Sequence, residues 1–342
     1  MRKFVITRQE EGRRFDKYLK KLLPQASSGF LYKMLRKKNI TLNEKKAAGS
    51  EVVAAGDTVE LFFSEETFSK FSGKLSDEDR GERTGAADLS YRRAFRRLEG
   101  ISVVYEDDNI LVLNKPAGVL SQKAERGDVS LNEWMIGYLL EKGEMTEEEL
   151  SRFRPSVCNR LDRNTSGLVL CGKNVRGSRF LSEILRDRSL HKYYLTCAQG
   201  RIERELVLDG YLRKEEERNR SEVIGTDAYR KLVSARPDAR KKYKRIETVI
   251  EPLAYRKERD CTELRILLVT GKSHQIRAHL ASIGHPVLGD RKYGWKPKRE
   301  EEGAFPFQFL HAYQVEFPET EGEFAGLSGK RLTAPEPKWW NV

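Results

Sequence analysis

The sequence predicts an α+β protein with two domains, because stretches with helical spacing and stretches with strand-like spacing succeed one another along the chain. The 342 residues suit two domains of ~150 residues each. Hydrophobic residues make up 38% of the chain, a low share that still allows a buried core, so a wholly disordered protein is not expected. Helical spacing changes to strand-like alternation within the first 63 residues, and strand-like segments recur from residue 101 onward.

The first 63 residues predict a small domain of two helices and a closing hairpin. Apolar residues at helical spacing indicate a first helix that Pro24 ends, and Ser28 is the expected N-cap of a second helix. Asn43 and Glu44 are expected to form a turn, and residues 57–63 alternate as a half-buried strand does. The apolar face of the first helix consists of Phe15, Tyr18, Leu19, Leu22 and Leu23.

Positive charge is concentrated in this small domain. The chain has 64 Lys and Arg against 52 Asp and Glu, a net charge of +12. Residues 1–63 contain 14 basic and 7 acidic residues, residues 64–100 contain 8 of each, and the remaining 242 residues carry only +5. Such a local excess is typical of a surface that binds a polyanion, although it is also found on faces that only keep a protein soluble. Four cations at the second helix form the candidate contact: Lys33, Arg36, Lys37 and Lys38.

Two segments are too highly charged to form much core. Residues 64–100 hold 16 charged residues among 37 and predict a linker between the domains, with helical spacing near residues 91–98. Residues 213–245 are similarly charged, but strand-like sequence lies on both sides of them. We therefore expect a long surface excursion inside the second domain, which is predicted to span residues 101–342.

Several classes of protein are not expected. No long apolar run follows the basic N-terminus and no stretch approaches the ~20 apolar residues that span a bilayer, so we expect a cytoplasmic protein without membrane contact. Four cysteines at least 13 residues apart predict free, mostly buried thiols. The five histidines lack metal-ligand spacing, so no metal site is expected. Residues 271–273 read Gly-Lys-Ser but do not complete a Walker A motif, because Ile266 stands where that motif requires glycine.

A polar turn leads directly into a buried strand in the second domain. Residues 159–165 form this turn, and Asp162 lies near its centre. Local spacing alone favours an Asx-turn, in which the carboxylate of Asp162 accepts hydrogen bonds from the backbone N–H groups of Asn164 and Thr165. Further along, helix-like and strand-like segments alternate: residues 174–188, 191–195, 264–269 and 274–283.

Four segments of the second domain closely resemble the RluA-type family of RNA pseudouridine synthases: residues 107–118, 160–170, 192–200 and 271–293. The resemblance implies the pseudouridine synthase fold, with a mixed, largely antiparallel sheet flanked by helices. It also implies isomerisation of uridine in RNA without cofactor or metal, in which uracil is detached from its ribose and rejoined through a ring carbon. The first 63 residues resemble the S-four type (αL) RNA-binding domains that precede the ribosomal members. Large-subunit ribosomal RNA is therefore the expected substrate, and a monomer is expected.

The resemblance assigns roles to three catalytic residues. Asp162 aligns with the family's essential Asp, which acts as nucleophile or base beside the ribose, where charge develops as uracil leaves. Arg277 is implied as its ion-pair partner, which keeps the carboxylate ionised and oriented. Tyr194 aligns with a tyrosine whose ring stacks on uracil and whose hydroxyl assists proton removal. A core tyrosine is the alternative, and that interpretation suits Tyr193 better.

The resemblance also implies residues that bind RNA. Arg160 aligns with an arginine that occupies the space vacated by a flipped uridine. Lys272, His274 and Gln275 belong to the matching helix start, where exposed N–H groups favour a phosphate. The likeness to S-four domains places the four cations of the second helix at RNA phosphates, where they position the enzyme without reading sequence. The family's usual His before Arg160 is Asn159 here, which can still bind a backbone group or a phosphate.

A noncatalytic RNA-binding or ribosome-assembly protein with the same fold is the alternative function. The presence of Asp162, Tyr194 and Arg277 favours the enzyme, because an active site that had decayed would be expected to lose them. A direct assay for pseudouridine formation separates the two.

Overall fold

The computed structural model describes six stretches of the chain: residues 1–8, 10–72, 89–125, 127–217, 219–297 and 305–340. Two sheets organise it, a four-stranded sheet near the N-terminus and an eleven-stranded sheet in the rest. The small sheet and the large sheet each bury separate hydrophobic cores. The two parts touch where the guanidinium of Arg176 lies 3.0 Å from the carboxylate of Glu11.

The small domain pairs its four strands antiparallel in the order β1-β4-β2-β3. Asn43 and Glu44 connect β2 and β3 with φ values of 51° and 63°, as a two-residue hairpin turn requires, so the predicted turn is confirmed. Ser27, and not Ser28, caps α2, because its hydroxyl accepts the N–H of Phe30 at 3.2 Å. The elements are β1 (Arg2–Val5), α1 (Phe15–Leu22), α2 (Ser28–Arg36), β2 (Ile40–Leu42), β3 (Lys45–Lys46), β4 (Thr58–Leu61) and α3 (Glu65–Ser72).

The predicted linker at residues 64–100 is too long at both ends. α3 buries Phe68 in the core of the small domain. A further helix at residues 89–97, α4, packs Tyr91 and Phe95 against the core of the large domain. A few aromatic residues at helical spacing are enough to anchor a helix whose other faces are charged. The middle of the predicted linker, residues 73–88, lies outside the described residues.

The large domain is built on one sheet flanked by helices. Its strands are β5 (Ser102–Glu106), β6 (Ile110–Lys115), β7 (Ser156–Val157), β8 (Ser166–Gly172), β9 (His191–Gln199), β10 (Leu206–Glu215), β11 (Arg220–Ile224), β12 (Lys244–Arg256), β13 (Cys261–Leu268), β14 (Leu310–Glu316) and β15 (Arg331–Thr333). Its further helices are α5 (Leu131–Glu141), α6 (Glu147–Arg152), α7 (Val175–Arg186), α8 (Thr226–Ala235), α9 (Ala239–Lys242) and α10 (Gln275–Ser282).

The order of these strands is β11-β10-β12-β13-β9-β14-β8-β6-β5, with β15 beside β14 and β7 beside β8. Among the paired strands that the structure describes, only β8 and β14 run parallel. The sheet is therefore mixed and largely antiparallel, and the predicted α+β fold class is confirmed. One face packs against α5 and α10, and the other packs against α7.

The parallel pair comes close together directly after the polar turn at residues 159–165. Gly167 has φ +109°, and a Cβ atom there would lie 2.2 Å from the carbonyl oxygen of Ala312 on β14. Only glycine allows this approach of the two backbones. The end of the turn is thereby fixed against the centre of the sheet.

Residues 213–245 contain more regular secondary structure than we predicted for a surface excursion. β10 continues to Glu215 and pairs with β11, which extends the sheet at its edge. α8 and α9 follow and bury Val233, Ala239 and Tyr243 in a small core of their own. The charged residues of the segment are spread over the outer faces of these elements, and so its composition hides the few apolar positions that hold it in place.

Candidate active site

The turn that carries Asp162 is held by hydrogen bonds from Ser121 and by one hydrogen bond within the turn. The hydroxyl of Ser121 donates to the carbonyl oxygen of Leu161 at 2.9 Å and accepts its N–H at 3.0 Å. The N–H of Thr165 donates to the backbone carbonyl of Asp162 at 3.0 Å. Within the described part of the chain, no backbone N–H donates to the carboxylate of Asp162. The Asx-turn interpretation is therefore wrong, and the carboxylate is available to other groups.

A fully buried lysine, Lys115, stabilises the same turn through hydrogen bonds. The ammonium of Lys115 donates to the carbonyl oxygens of Pro116, Val119 and Arg163 at 2.9, 2.8 and 3.0 Å. Burial lowers the pKa of Lys115 to about 7, and the charge of Asp162 acts in the opposite direction. The three carbonyl acceptors favour the charged ammonium, because it alone can donate three hydrogen bonds. Lys115 thus connects the corner after β6 to the turn that carries Asp162.

Arg277 joins Asp162 to a second, deeper carboxylate. Its Nη1 donates to Oδ2 of Asp162 at 2.8 Å, and its Nε and Nη2 donate to the two oxygens of Asp290 at 2.6 and 2.9 Å. The side chains of Arg277 and Asp290 are 7% and 1% exposed, whereas that of Asp162 is 27% exposed. The two-point bond to Asp290 fixes the guanidinium plane, so the remaining N–H group points at the carboxylate that faces the cleft.

His274 and Tyr293 complete the surroundings of this ion pair. The Nδ1 atom of His274 lies 3.0 Å from the hydroxyl of Tyr293, and its Nε2 atom lies 3.7 Å from Oδ2 of Asp162. Burial lowers the pKa of His274 more than the carboxylate of Asp162 raises it, which favours a neutral ring. The Tyr293 hydroxyl accepts the N–H of Ser221 at 2.7 Å and can donate its own proton to Nδ1. Nε2 would then carry the proton of the neutral ring, on the side of Asp162.

Tyr194 lies on the same cleft, in the middle of β9. It is 7% exposed and pairs with Ile266 of β13 and Ala312 of β14. Burial raises the pKa of its hydroxyl, and the charge of Asp162 raises it further. The phenol is therefore protonated at neutral pH, and the residue lines the cleft.

The cleft has a volume of about 1220 Å³ and is strongly cationic. Ten lysine or arginine side chains line it, while Asp162 contributes the one carboxylate among the described lining residues. Asp162, Tyr194 and Arg277 come together there, as do Arg160, Lys272, His274 and Gln275. A cleft of this charge suits a polyanion that is wider than a single nucleotide.

Gln275 requires a correction. It is 2% exposed, and its amide donates to the carbonyl of Glu247 and to the hydroxyl of Thr248, both at 3.0 Å. Its side-chain oxygen accepts from the hydroxyl of Thr270 and from the N–H of Lys272, at 2.9 and 3.1 Å. These bonds use the amide inside the protein, and so Gln275 shapes the turn before α10 instead of reaching RNA. Lys272 remains exposed and His274 partly exposed.

Other predicted residues occupy different places. Arg160 is exposed at the cleft. Asn159 bonds the backbone of β8, because its side-chain oxygen accepts the N–H of Leu170 at 2.7 Å and its amide donates to the carbonyl of Leu168 at 3.4 Å. The four cations predicted at the second helix are exposed on α2 and its C-terminal end, outside the cleft: Lys33, Arg36, Lys37 and Lys38.

Asp290, Tyr293 and Lys115 are site residues that the sequence reasoning did not assign. Asp290 and Tyr293 lie inside the fourth resembling segment, and Lys115 lies inside the first. Their position in these segments was the only local signal, since each acts through a partner far along the chain. In the described residues no cluster of His, Cys, Asp or Glu could hold a metal ion, and no helix is long and apolar enough to cross a membrane. The four cysteines are free, and three of them are buried.

Comparison with known proteins connects this geometry to a family. The family model described as RNA pseudouridylate synthase matches residues 109–282, which include the turn at residues 159–165, β9 and α10. The chain belongs to the RNA pseudouridylate synthase family. Two human members of known structure, RNA pseudouridylate synthase domain containing 1 and 4, share its fold with TM-scores of 0.51 and 0.52 at 23% and 17% identity. They cover 70% and 74% of this chain, and 84% and 94% of their own.

Curated pseudouridine synthases also match nearly end to end. Ribosomal large subunit pseudouridine synthase C of Rickettsia felis is 29% identical over 303 residues, which cover 88% of this chain and 87% of the relative. Ribosomal large subunit pseudouridine synthase D of Nitrosomonas europaea is 27% identical over 311 residues, or 89% of this chain and 77% of the relative. An uncharacterized RNA pseudouridine synthase of Mycoplasma pneumoniae is 28% identical over 323 residues, or 93% and 89%. The likeness extends beyond the matched family segment into the N-terminal domain.

Proposed function

We propose that this pseudouridine synthase acts on ribosomal RNA of the large subunit and that Asp162 is the carboxylate that reacts at the ribose. One observation carries the proposal. In a cleft whose other described charged side chains are lysines and arginines, Asp162 is held at 2.8 Å by an arginine whose Nε and Nη2 groups are fixed by Asp290. The two relatives named for large-subunit RNA, which the chain covers over most of their length, support that substrate.

The surroundings of Asp162 suit a reaction at the anomeric carbon. A uridine must leave the RNA stack to reach it, at a cost of a few kcal/mol. The exposed Arg160, two residues before Asp162, can occupy the vacated space, and the ring of Tyr194 can stack on the extruded uracil. Arg277 keeps the carboxylate charged and directed as positive charge develops on the ribose.

The bonds and protons of the isomerisation balance without a cofactor. If Asp162 attacks, an oxygen–C1′ bond forms as the C1′–N1 bond breaks, and uracil leaves as an anion. After the base turns, C5 bonds to C1′ as the oxygen–C1′ bond breaks, C5 loses its proton and N1 gains one. If Asp162 acts as a base, it removes the C2′ proton as uracil leaves and returns it when C5 bonds. Both routes need a carboxylate fixed beside the ribose, and neither needs an oxidant or reductant.

We also propose that residues 1–72 form an S-four type RNA-binding domain. Two short helices, a basic end on α2 and a small sheet with its own core support this assignment. The four exposed cations at α2 would contact phosphates and add affinity without reading sequence.

The test is conversion of uridine in unmodified transcripts of large-subunit ribosomal RNA. Pseudouridine is expected with the unaltered protein and not with Asp162→Asn, and the modified position follows from mapping the product. Deuterium at C2′ should slow the reaction only if Asp162 removes that proton. A protein that binds these transcripts tightly but forms no pseudouridine in any ribosomal or transfer RNA would contradict the proposal and favour a noncatalytic role.

A further inference from the structure

Lys192 carries a positive charge that the protein does not neutralise. It precedes Tyr194 by two residues on β9, so the two side chains leave the same face of the strand, and both line the cleft. Among the described residues, its ammonium has no carboxylate within 4 Å and no hydrogen-bond acceptor. Burial lowers the pKa of Lys192, and the nearby charge of Arg188 lowers it further. Lys192 and Arg188 thus bring two cations to the cleft that Tyr194 lines.

Arg188 is presented by a rigid and unusual turn. It follows the C-terminal end of α7 with φ +69°, a position where glycine is the favoured residue. The neighbouring carboxylate of Asp187 does not pair with it, because that group accepts the N–H and hydroxyl of Ser189 at 2.9 and 2.7 Å. In the described structure Arg188 has no acidic partner, and it lines the cleft. Arg188 therefore adds an unpaired guanidinium to the same cleft that Lys192 lines.

Gly271 leaves the space over the Lys192 ammonium open. A Cβ atom at Gly271 would lie 3.6 Å from Nζ of Lys192, and that ammonium is the nearest group it would meet. The glycine does not have a positive φ, so a side chain there would not strain the backbone. The absent side chain matters because a group of the size of a phosphate needs room in front of the ammonium.

We infer that Lys192 and Arg188 bind a phosphodiester of the RNA next to the target uridine. This deepens the proposed function and rests on it, since it assumes that RNA enters this cleft. Two residues of an extended strand span about 6.6–6.8 Å, so Lys192 lies about one nucleotide from the ring of Tyr194. A phosphate bound there would fix the RNA backbone on one side of the base. It would also give the two cations the anionic partner that the protein does not provide.

The experiment compares variants in binding to an unmodified transcript of large-subunit ribosomal RNA between 50 and 500 mM KCl. Lys192→Met and Arg188→Met remove one cation each, Lys192→Arg keeps the charge, and Gly271→Ala places a methyl group before it. Lys241→Met, on the exposed surface of α9 away from the cleft lining, is the matched control. Thermal unfolding of every variant checks that the fold is retained.

Each methionine substitution at the cleft is expected to lower the salt slope of log Kd by about one unit and to weaken binding by about tenfold at low salt. Gly271→Ala should weaken binding without unfolding, while Lys192→Arg should restore most of it and Lys241→Met should change neither quantity. Unchanged slopes for both Lys192→Met and Arg188→Met in folded protein would overturn the inference. Pseudouridine formation by the unaltered protein tests the proposed function separately, so enzyme that is active with unchanged slopes refutes the phosphate site alone.

Discussion

The end of α2 and the active-site cleft both carry positive charge, but they hold it in different ways. Lys33, Arg36 and their two neighbours are exposed, with no hydrogen bond to orient them among the described contacts. Arg277, by contrast, is buried and bonded at three N–H groups, and Lys115 is buried and bonded at three more. Exposed charge in water acts over a Debye length of about 8–10 Å and is screened by salt. Buried, bonded charge acts on one neighbouring atom in a fixed direction.

This difference indicates that the α2 surface and the cleft have different tasks. Exposed cations can add affinity for any RNA phosphate, because they adapt to its position. A reaction at one carbon needs a carboxylate fixed within a fraction of an ångström, which only a bonded network supplies. We therefore expect changes at α2 to alter binding and changes around Asp162 to alter turnover.

The largest effect is expected for Asp162→Asn, which keeps the size of the side chain but removes its charge and nucleophilicity. Single-turnover pseudouridine formation should fall by at least about 10³-fold, while RNA affinity stays within about threefold of the unaltered protein. Asp227→Asn, on an exposed carboxylate of α8, is the matched control and should leave the rate unchanged. Substantial turnover by Asp162→Asn would remove Asp162 from its proposed role.

Arg277→Met should reduce both stability and activity, because it leaves the buried carboxylate of Asp290 without its cation and, among the described residues, with only the N–H of Tyr293 as a donor. We expect a loss of about 3–5 kcal/mol in the free energy of unfolding, measured with denaturant. Arg277→Met combined with Asp290→Asn should regain much of that stability and none of the activity, since Asp162 still lacks its guanidinium. If the double variant recovered turnover, orientation of Asp162 by Arg277 would not be needed.

Lys115→Met tests whether a residue that does not touch the carboxylate positions it. The substitution leaves the carbonyl oxygens of Pro116 and Val119 without their lysine donor, while that of Arg163 still accepts the N–H of Gly118 at 2.9 Å, and it should cost about 2–4 kcal/mol of stability. Turnover at saturating RNA should fall by about tenfold or more, and KM should change little, because the turn at Asp162 loosens while the cationic rim remains. Lys123→Met, which removes an exposed lysine at the same cleft, should instead raise KM. Equal effects of the two substitutions on KM would contradict a positioning role for Lys115.

Replacing the four cations at α2 by glutamine should weaken RNA binding and leave the reaction rate unchanged. This is the opposite of the pattern expected for Lys115→Met. The salt slope of RNA binding should fall by up to about four units, one for each lost phosphate contact, while the saturated single-turnover rate persists. Replacing four exposed cations of the α8–α9 region is the matched control and should alter the slope less: Lys231, Arg236, Arg240 and Lys241. A slope unchanged by the α2 substitutions would show that this surface does not bind RNA.

Acid should destabilise the large domain before the small one, because all five histidines lie beyond residue 190. Burial lowers the pKa of His279 and of His311 to about 4, below the ~6.5 of an unfolded chain. The unfolded state therefore binds more protons between these values, and stability that is complete above pH 6.5 is lost as pH falls toward 4. We expect a loss of about 1–3 kcal/mol for each residue. His279→Gln should flatten this dependence, whereas replacement of the exposed His191 should not, as urea unfolding at pH 7, 6, 5 and 4 would show.

The sequence alone predicted most of the local elements and proposed which residues react. Helical spacing predicted α1 and α2, and the Asn43-Glu44 pair predicted a turn whose backbone the structure confirms. Asp162, Tyr194 and Arg277 followed from ordered motifs that resemble a family. These features depend on neighbours within a few residues or on the order of residue types along a motif, and both can be read along a chain.

The groups that surround the carboxylate of Asp162 became known only from the tertiary structure. Arg277 and Asp162 are 115 residues apart, and the Asp290 that fixes Arg277 gave no local signal of its own. Folding also buried Lys115 and Gln275 and drew α3 into the small core, against the expectations of residue type and charge. The reason is that burial and hydrogen bonding depend on what packs across the sheet. The spacing of apolar residues along one strand or helix shows which of its faces is apolar. It does not show which polar group, distant in the sequence, will pack against that element.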